Sequence, residues 1–316
     1  MRKLKIVLIA FVMMLTTACS PSEKTGDNGK PILQIGYLPI THAGPLYLDA
    51  HLPRGEFGEY EIEMVKFGSW PDLMDALNTG RIDGASVLIE LAMKAKELGI
   101  DLKAVALGHQ DGNVLVSSKE VKTTADLKGE TYAIPHKFSS QNILLNEMLK
   151  KDGLSYEDVN VVEMAPAEMP AALSEKRIAG YVVAEPFGAM AVALDKGKVH
   201  YHSDEIWPDS YCCILVLRND YIEKNHDVVQ SFVSRYVELG EQADKKEADL
   251  YEAFGAFMKV EKEVMDLSLE WISFDNLRIE ENEYQKLSNF MVEMGMSDNP
   301  PAYKDFVDNT FIDEAK

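Results

Sequence analysis

Polar side chains recur where predicted strands end and the following helices begin. Helix N-termini present unpaired N–H groups and partial positive charge, and open α/β sheets bind ligands outside the carboxyl ends of their strands. We therefore expect these side chains to line one cleft and to hydrogen-bond a small ligand. The predicted ligand-binding set consists of Thr41, His42, Ser69, Trp70, Glu90, Gln110, Asn113, Ser139, Ser140, Gln141 and Glu185.

Several members of this set have a structural interpretation beside the ligand-binding one. Trp70 follows Ser69 at a predicted helix start, so its indole either floors a pocket or packs beneath the helix. Residues 139–141 begin a long helix, where a hydroxyl group caps the helix or donates to a bound oxygen. Capping uses one of these side chains and leaves the others for a ligand. Glu90 and Glu185 would bring two carboxyl groups to the same cleft.

The sequence carries no common motif of hydrolases, nucleotide-binding loops or zinc proteases. The patterns G-x-S-x-G, G-x-x-x-x-G-K-[ST] and H-E-x-x-H are all missing from it. His200 and His202 place two imidazoles on one face of a predicted strand, which leaves a metal-binding receptor as an alternative. Zinc sites use three or four protein ligands, so we predict neither a metal nor a cofactor.

The predicted elements are those of an α/β fold with two lobes. Strand, loop and helix alternate over residues 32–111 and again over residues 112–211. SYCCILVLRND is a predicted return strand. Beyond Asp220, apolar residues recur at a spacing of three and four, which predicts helices alone. We predict that residues 32–111 and 212–316 form lobe 1 and that residues 112–211 form lobe 2.

The N-terminus has the pattern of an export signal that ends in a lipid attachment site. Three basic residues precede an apolar run, and small residues stand directly before Cys19. This arrangement resembles a bacterial lipobox, in which Cys19 is lipidated and becomes the mature N-terminus. We predict a signal peptide over residues 1–19, a flexible tether over residues 20–31, and a lipid anchor on the extracytoplasmic face of the cell membrane.

The amino-acid composition argues against one class of binding partner and bears on the number of domains. The formal net charge of −20 argues against nucleic acid, because phosphate binding needs an excess of Lys and Arg on one face. The 316 residues suffice for two domains. Cys212 and Cys213 are adjacent in the sequence, so no disulfide framework is predicted.

Three segments are similar to those of a known family. They are IGYLPITHAGPLYL, SWPDLMDALNTGRIDGA and VVEMAPAEMPAALSEKRIAGYVVAEPF. In order and spacing they resemble the nitrate, sulfonate, taurine and bicarbonate (NMT1-like) branch of the substrate-binding proteins of ABC importers. The resemblance implies a type II periplasmic-binding-protein fold, whose two lobes close on a solute like a venus flytrap. It also implies a monomer, not an enzyme, that delivers this solute to an ABC permease and its ATPase.

Departures from the family pattern bear on the solute. Oxyanion-binding relatives have a histidine in the stretch that matches residues 139–141 and a lysine in the stretch that matches residues 211–213, and this sequence has neither. A buried anion needs charge or many donors, which counts against nitrate and bicarbonate. A solute similar to the pyrimidine precursors of thiamine is an alternative to these anions. Sulfonates are a further alternative. Pyrimidine-synthase relatives use a Cys-Cys-Cys-Phe-Cys motif, of which only Cys212-Cys213 is present, so an enzyme is the weaker alternative.

Overall fold

Two five-stranded mixed sheets form the centres of two lobes in the computed structural model, which describes residues 25–26, 29–53 and 58–315. In spatial order, the first sheet contains β2 (Glu61–Lys66), β1 (Ile32–Tyr37), β3 (Gly84–Leu88), β11 (Cys213–Arg218) and β4 (Leu102–Leu107). The second contains β10 (Gly197–His202), β6 (Asn113–Ser118), β9 (Gly180–Ala184), β7 (Thr131–Ile134) and β8 (Asn160–Glu163).

Strand β11 joins the first sheet from a distant part of the chain. It lies between β3 and β4 and is antiparallel to both, with Cys213 opposite Leu88. Its residues Cys213 to Leu217 are fully buried, as expected for a central strand covered on both faces. This insertion brings the start of β11 beside the ends of β3 and β4. It is therefore the feature that assembles the polar site described below.

Helices cover both sheets. Those that alternate with the strands are α1 (Gly44–His51), α2 (Trp70–Asn78), α3 (Ile89–Glu97), α4 (Ser140–Lys151), α5 (Met169–Ser174), α6 (Phe187–Ala193) and α7 (Ser203–Ile206). Ser69 and Ser139 are the N-caps of α2 and α4, and each side-chain oxygen accepts a hydrogen bond from a backbone N–H of the first turn. The capping predicted for these two positions is therefore confirmed.

The C-terminal part of the chain is mostly helical, as predicted. It contains α8 (Asn219–Lys224), α9 (His226–Asp244), α10 (Ala248–Phe257), α11 (Lys262–Glu270), α12 (Glu281–Glu293), α13 (Tyr303–Phe306) and α14 (Thr310–Asp313). The expectation of helices alone was wrong in one detail. A short strand, β12 (Ile272–Ser273), pairs with β5 (Gln110–Asp111) beside the passage from the first sheet to the second.

The C-terminal helices contact both lobes. α9 and α10 pack on α1, where Arg235 forms a buried ion pair with Asp49 at 2.6 Å. α11 packs on α6, and the hydroxyl group of its Ser268 donates to Glu185 at 2.9 Å.

The two-lobed α/β architecture predicted from the sequence is confirmed. The domain borders stay a prediction. The signal peptide, Cys19 and most of the tether lie outside the described residues. Among the described helices, none combines the length and the apolar character needed to cross a membrane.

Candidate functional site

A group of buried polar side chains lies where the two sheets approach each other. None of its eight members is more than 1% exposed. Some come from the first sheet and the loops that follow its strands, and others from the first residues of β6 and α4. We call this group the interlobe cluster: His42, Glu90, His109, Asn113, Ser140, Gln141, Cys212 and Cys213.

Local structure explains how three separate segments reach this point. His42 lies in a short 3₁₀ helix, Thr41–Ala43, after β1, and His109 follows β4. Gly108 stands between these segments and the start of β11. A Cβ atom at position 108 would lie 2.8 Å from the His42 carbonyl oxygen and 3.1 Å from that of Cys213. The absence of a side chain at Gly108 therefore permits the close approach of His42, His109 and Cys213.

Thiol and imidazole groups form the centre of the cluster. The Nδ1 atom of His42 lies 3.5 Å from Sγ of Cys213 and 3.6 Å from Sγ of Cys212, and the two sulfur atoms are 3.8 Å apart. The His109 ring stacks on the His42 ring, with 3.5 Å between their centroids. One ligand-type atom from each of these four residues falls within 4.8 Å of the other three.

Hydrogen bonds orient these groups. The Nε2 atom of His42 lies 3.0 Å from the carbonyl oxygen of Gly112, which makes Nε2 the protonated nitrogen and leaves the Nδ1 lone pair facing the sulfur atoms. The side-chain amide of Gln141 donates to Oδ1 of Asn113 at 2.8 Å and to Sγ of Cys212 at 3.2 Å. The amide of Gln141 therefore links α4 to the start of β11.

Many polar atoms of the cluster have no hydrogen-bond partner among the described residues. They are both carboxyl oxygens of Glu90, Nδ1 of His109, Nδ2 of Asn113, Oγ of Ser140 and Oε1 of Gln141. A buried polar atom without a partner costs about 1–3 kcal/mol, and such atoms are few in native proteins. Their concentration at one place is typical of a binding site, where a ligand supplies the missing partners.

Burial and mutual proximity shift the pKa values inside the cluster. Burial, followed by the neighbouring His42, lowers the pKa of His109 to about 4, so this imidazole is neutral at physiological pH. Burial, followed by the charge of Cys212, raises the pKa of Glu90 well above its usual range. Burial thus disfavours the charged form of both groups.

The pKa values of the two neighbouring thiols shift in opposite directions. Burial alone would raise the pKa of Cys212, but the hydrogen bond from Cys213 and the electrostatic influence of the nearby His42 ring outweigh it and lower this pKa well below its ordinary value. Burial and then the bond to Cys212 raise the pKa of Cys213. Cys212 is accordingly the thiol of the pair that loses its proton more readily, and a thiolate is the form that binds metals or attacks electrophiles.

The structure brings together five of the predicted ligand-binding residues: His42, Glu90, Asn113, Ser140 and Gln141. Three others use their polar groups elsewhere, since Ser69 and Ser139 cap helices and Gln110 donates to the carbonyl oxygens of residues 275 and 276. Ligand contact by these three stays a prediction.

Thr41, Glu185 and Trp70 occupy buried positions. Thr41 donates through its hydroxyl group and its N–H to the carbonyl oxygen of Glu185. One carboxyl oxygen of Glu185 accepts from Ala189 and Ser268, while the other has no partner among the described residues. Trp70 is 2% exposed within the hydrophobic core, and its indole N–H likewise has no described partner. Their ligand contacts also stay predictions.

His109, Cys212 and Cys213 lie in the cluster but are not among the eleven predicted ligand-binding residues; His109, at the crossing between the lobes, had either a ligand contact or a hinge role as its interpretation. Their only signals were the adjacency of the cysteines and the place of His109 directly after a strand. The alternative metal pair is not assembled, because His200 faces Ser117 and Thr124 while the His202 ring packs against Trp271. Among the described residues, the group that could hold a metal does not include His200 or His202.

Comparison with known proteins places the chain in a family. Residues 26–253 match the model of the NMT1-like family. The chain belongs to the NMT1-like family. The resemblance noted in the three sequence segments is thereby confirmed. A ligand-binding component of an ABC-type import system from Staphylococcus aureus, solved with zinc bound, is 42% identical to this family member with a TM-score of 0.85, and the match covers 90% of this chain and 99% of that one.

Two curated relatives show the range of solutes in the family. The nitrate import ATP-binding protein NrtC of Synechocystis is 27% identical over 71% of this chain, which spans 37% of the length of NrtC. An aliphatic sulfonates-binding protein of Escherichia coli is 25% identical over 75% of this chain and 74% of its own length. By their names, these two relatives of the NMT1-like chain import nitrate and bind aliphatic sulfonates.

Proposed function

We propose that this protein is the extracytoplasmic solute-binding component of an ABC importer and that it encloses a small ligand at the interlobe cluster. The observation that supports this proposal is the set of unpaired, fully buried polar atoms contributed from both sides of the junction between the sheets. A receptor that closes around its ligand needs such groups, because ligand atoms replace the water that closure expels. No step of the proposal requires turnover or a cofactor.

The charges around the cluster favour a cation or a neutral molecule over a small inorganic anion. Two cysteines lie within it, and a thiol becomes negative when it loses its proton, whereas burial makes the carboxyl group of Glu90 harder to ionise by raising its pKa. Among the described residues, the one buried cationic side chain is that of Arg235, which is paired with Asp49. An enclosed nitrate or bicarbonate ion would therefore have no positive side chain to offset its charge. The zinc-bound and sulfonate-binding relatives indicate that both metals and organic solutes belong in a ligand screen.

The proposed setting follows from the family and from the N-terminal sequence. The protein would act as a monomer, anchored by lipid on Cys19 at the outer face of the membrane. It would deliver its solute to an ABC permease driven by an ATPase. Binding of a ligand to the native state alone stabilises the protein, by about 2.7 kcal/mol at a ligand concentration 100 times Kd.

Thermal unfolding of the full chain carrying Cys19→Ser tests this function. The panel contains nitrate, bicarbonate, taurine, alkanesulfonates, thiamine and its pyrimidine precursors, and divalent metal ions. We expect a selective rise in Tm with one class, lost in Asn113→Leu because that substitution removes two polar atoms from the cluster. Asn160→Leu, at an exposed position of β8, is the matched control and should keep the rise. A rise that survives Asn113→Leu, or no rise with any solute, would contradict the proposal.

A further inference from the structure

We propose that Cys212, Cys213, His42 and His109 form a binding site for one zinc-like divalent cation. The proposal of a metal site depends only on the geometry of these four residues and not on the proposed function. The further idea that this ion is the transported solute rests on the proposed function.

The distances among the four side chains match those of a tetrahedral zinc site. Zinc binds sulfur at about 2.3 Å and imidazole nitrogen at about 2.0–2.1 Å, so adjacent ligand atoms of a tetrahedron lie roughly 3.3–3.8 Å apart. The three measured separations are 3.5 Å and 3.6 Å from Nδ1 of His42 to the two sulfur atoms, and 3.8 Å between the sulfur atoms. Three of the four ligand atoms are therefore already separated by the distances found between the ligands of a bound zinc ion.

His109 supplies the fourth ligand. Its Nδ1 atom has no hydrogen-bond partner among the described residues, and its Nε2 atom accepts only a long bond of 3.4 Å from the N–H of Cys213. A ring nitrogen of His109 lies within 4.8 Å of the other three ligand atoms. The 3.4 Å bond is long, so coordination of a metal ion through Nε2 would give up little hydrogen-bond energy.

Neighbouring groups orient these ligands as metal-binding proteins commonly do. Metal-bound histidines usually donate their second ring N–H to a carbonyl or carboxylate oxygen, which fixes the tautomer. His42 has this arrangement, with Nε2 at 3.0 Å from the carbonyl oxygen of Gly112. Gln141 donates to Sγ of Cys212 at 3.2 Å, and such a bond positions the sulfur atom. Hydrogen bonds with neighbouring groups therefore position two of the four ligands, His42 and Cys212.

Charge and donor type select the kind of ion. Thiolate and imidazole ligands suit zinc and its soft neighbours, whereas magnesium and calcium prefer an all-oxygen shell. Two thiolates neutralise a divalent cation, so the complex carries no net charge into an interior that is 0–1% exposed. Binding of the proposed ion would therefore allow two thiolates to be buried without an uncompensated charge.

The ligands and their support lie on opposite sides of the junction between the lobes. Both cysteines and both histidines belong to segments next to the first sheet, whereas Asn113 and Gln141 lie at the first residue of β6 and in the first turn of α4, which belong to the second lobe. The bond from Gln141 to Cys212 crosses the junction. Metal binding would therefore favour the closed arrangement, as a solute does in a two-lobed receptor.

Metal binding is tested first on the chain with native cluster residues. The full chain carrying Cys19→Ser, untagged and reduced, is stripped with a chelator and titrated with Co²⁺ and then Zn²⁺. We expect one Co²⁺ per chain, with the intense near-ultraviolet absorption of cobalt bound to two thiolates, and complete displacement by one Zn²⁺. Substoichiometric binding, or a cobalt spectrum without thiolate bands, would overturn the proposal. This readout needs no substitution in the cluster, so it cannot be lost through misfolding.

Substitutions then assign the ligands. Cys212→Ser, Cys213→Ser and His109→Gln should each lower Zn²⁺ affinity by about 100-fold or more, since ligands matter at least as much as their supporting groups. The double substitution His200→Gln with His202→Gln is the matched control and should leave the affinity unchanged. Full affinity in the cysteine variants, or a loss confined to the control, would place the metal elsewhere and refute the assignment.

The two proposals fail in different ways. Stoichiometric zinc at the cluster together with unchanged zinc uptake in cells that lack the protein would uphold the metal site and refute its role as cargo. Selective stabilisation by an organic solute, without metal binding, would uphold the receptor and refute the metal site.

Discussion

Gln141 donates a hydrogen bond of 3.2 Å to the sulfur atom of Cys212, although 71 positions separate the two residues in the chain. Gln141 is the second residue of α4 beside the second sheet, and Cys212 immediately precedes β11 in the first. The same amide nitrogen also donates to Asn113 at 2.8 Å. This contact therefore connects elements of the two sheets at the centre of the interlobe cluster.

Gln141→Leu should weaken ligand binding far more than it lowers stability. The substitution removes a buried donor shared by Cys212 and Asn113, a loss of about 1–3 kcal/mol, which is roughly 10–100-fold in Kd. Isothermal titration with the solute or ion found in the screens measures the change. Gln285→Leu is the control, because Gln285 is exposed on α12 and donates to Asn289, away from the cluster. Equal affinities for the two variants would show that the contact does not contribute to binding.

Glu185 should make the protein less stable as pH rises. Burial raises the pKa of this carboxyl group to about 8, against about 4.5 in the unfolded chain. Between these two values the unfolded chain has lost a proton that the folded protein keeps, so the contribution of Glu185 is complete below about pH 4.5 and is lost as pH rises to about 8. The expected slope is up to ~1.4 kcal/mol per pH unit.

Urea unfolding across this pH range isolates the effect of Glu185. Other groups titrate too, so the quantity to compare is the difference in unfolding free energy between the native chain and Glu185→Gln. That difference should change steadily from about pH 5 to about pH 8. Glu175→Gln, at an exposed position, should run parallel to the native chain. A pH-independent difference for Glu185→Gln would mean that this carboxyl group titrates normally.

Trp70→Ala should lower the free energy of unfolding by about 3–5 kcal/mol, because the indole is 2% exposed within the core. Leu98→Ala is the control: that side chain is 73% exposed, and its loss should change stability by less than about 0.5 kcal/mol. Trp70→Phe keeps most of the buried surface but removes the unpaired N–H. A loss of ligand affinity in that variant, at nearly constant Tm, would support the predicted ligand contact of Trp70.

Cys19→Ser should move the protein from the membrane fraction to the soluble fraction when it is expressed in a bacterium that processes lipoproteins. Without the thiol at position 19 no lipid can be attached, and no described helix is suited to hold the chain in a bilayer. Immunoblots of the two fractions measure the change, and Cys213→Ser should stay with the membrane. Unchanged fractionation of Cys19→Ser would refute the lipid anchor.

Much of the fold was accessible from local patterns. Alternation of apolar residues in EIEMVK predicts a strand, and Ser69 ahead of WPDLMDALN predicts a capped helix; both are present. Such features depend on neighbours within a few residues, so the sequence displays them directly. The polar loops that contain His42 and residues 139–141 were predictable for the same reason. By contrast, the pairing of β12 with β5 joins two-residue strands far apart in the chain, and no local pattern indicates it.

By itself the sequence determined the class of the protein: an α/β chain with NMT1-like segments, an acidic surface and polar groups at strand ends. The tertiary structure alone decided which polar groups meet. Cys212 and Cys213 resemble ordinary residues of a buried strand until β11 is inserted between β3 and β4. His109 becomes a site residue only because the end of β4 then adjoins that strand. The physical reason is that contacts across a sheet depend on strand order and register, which are properties of the whole folded chain.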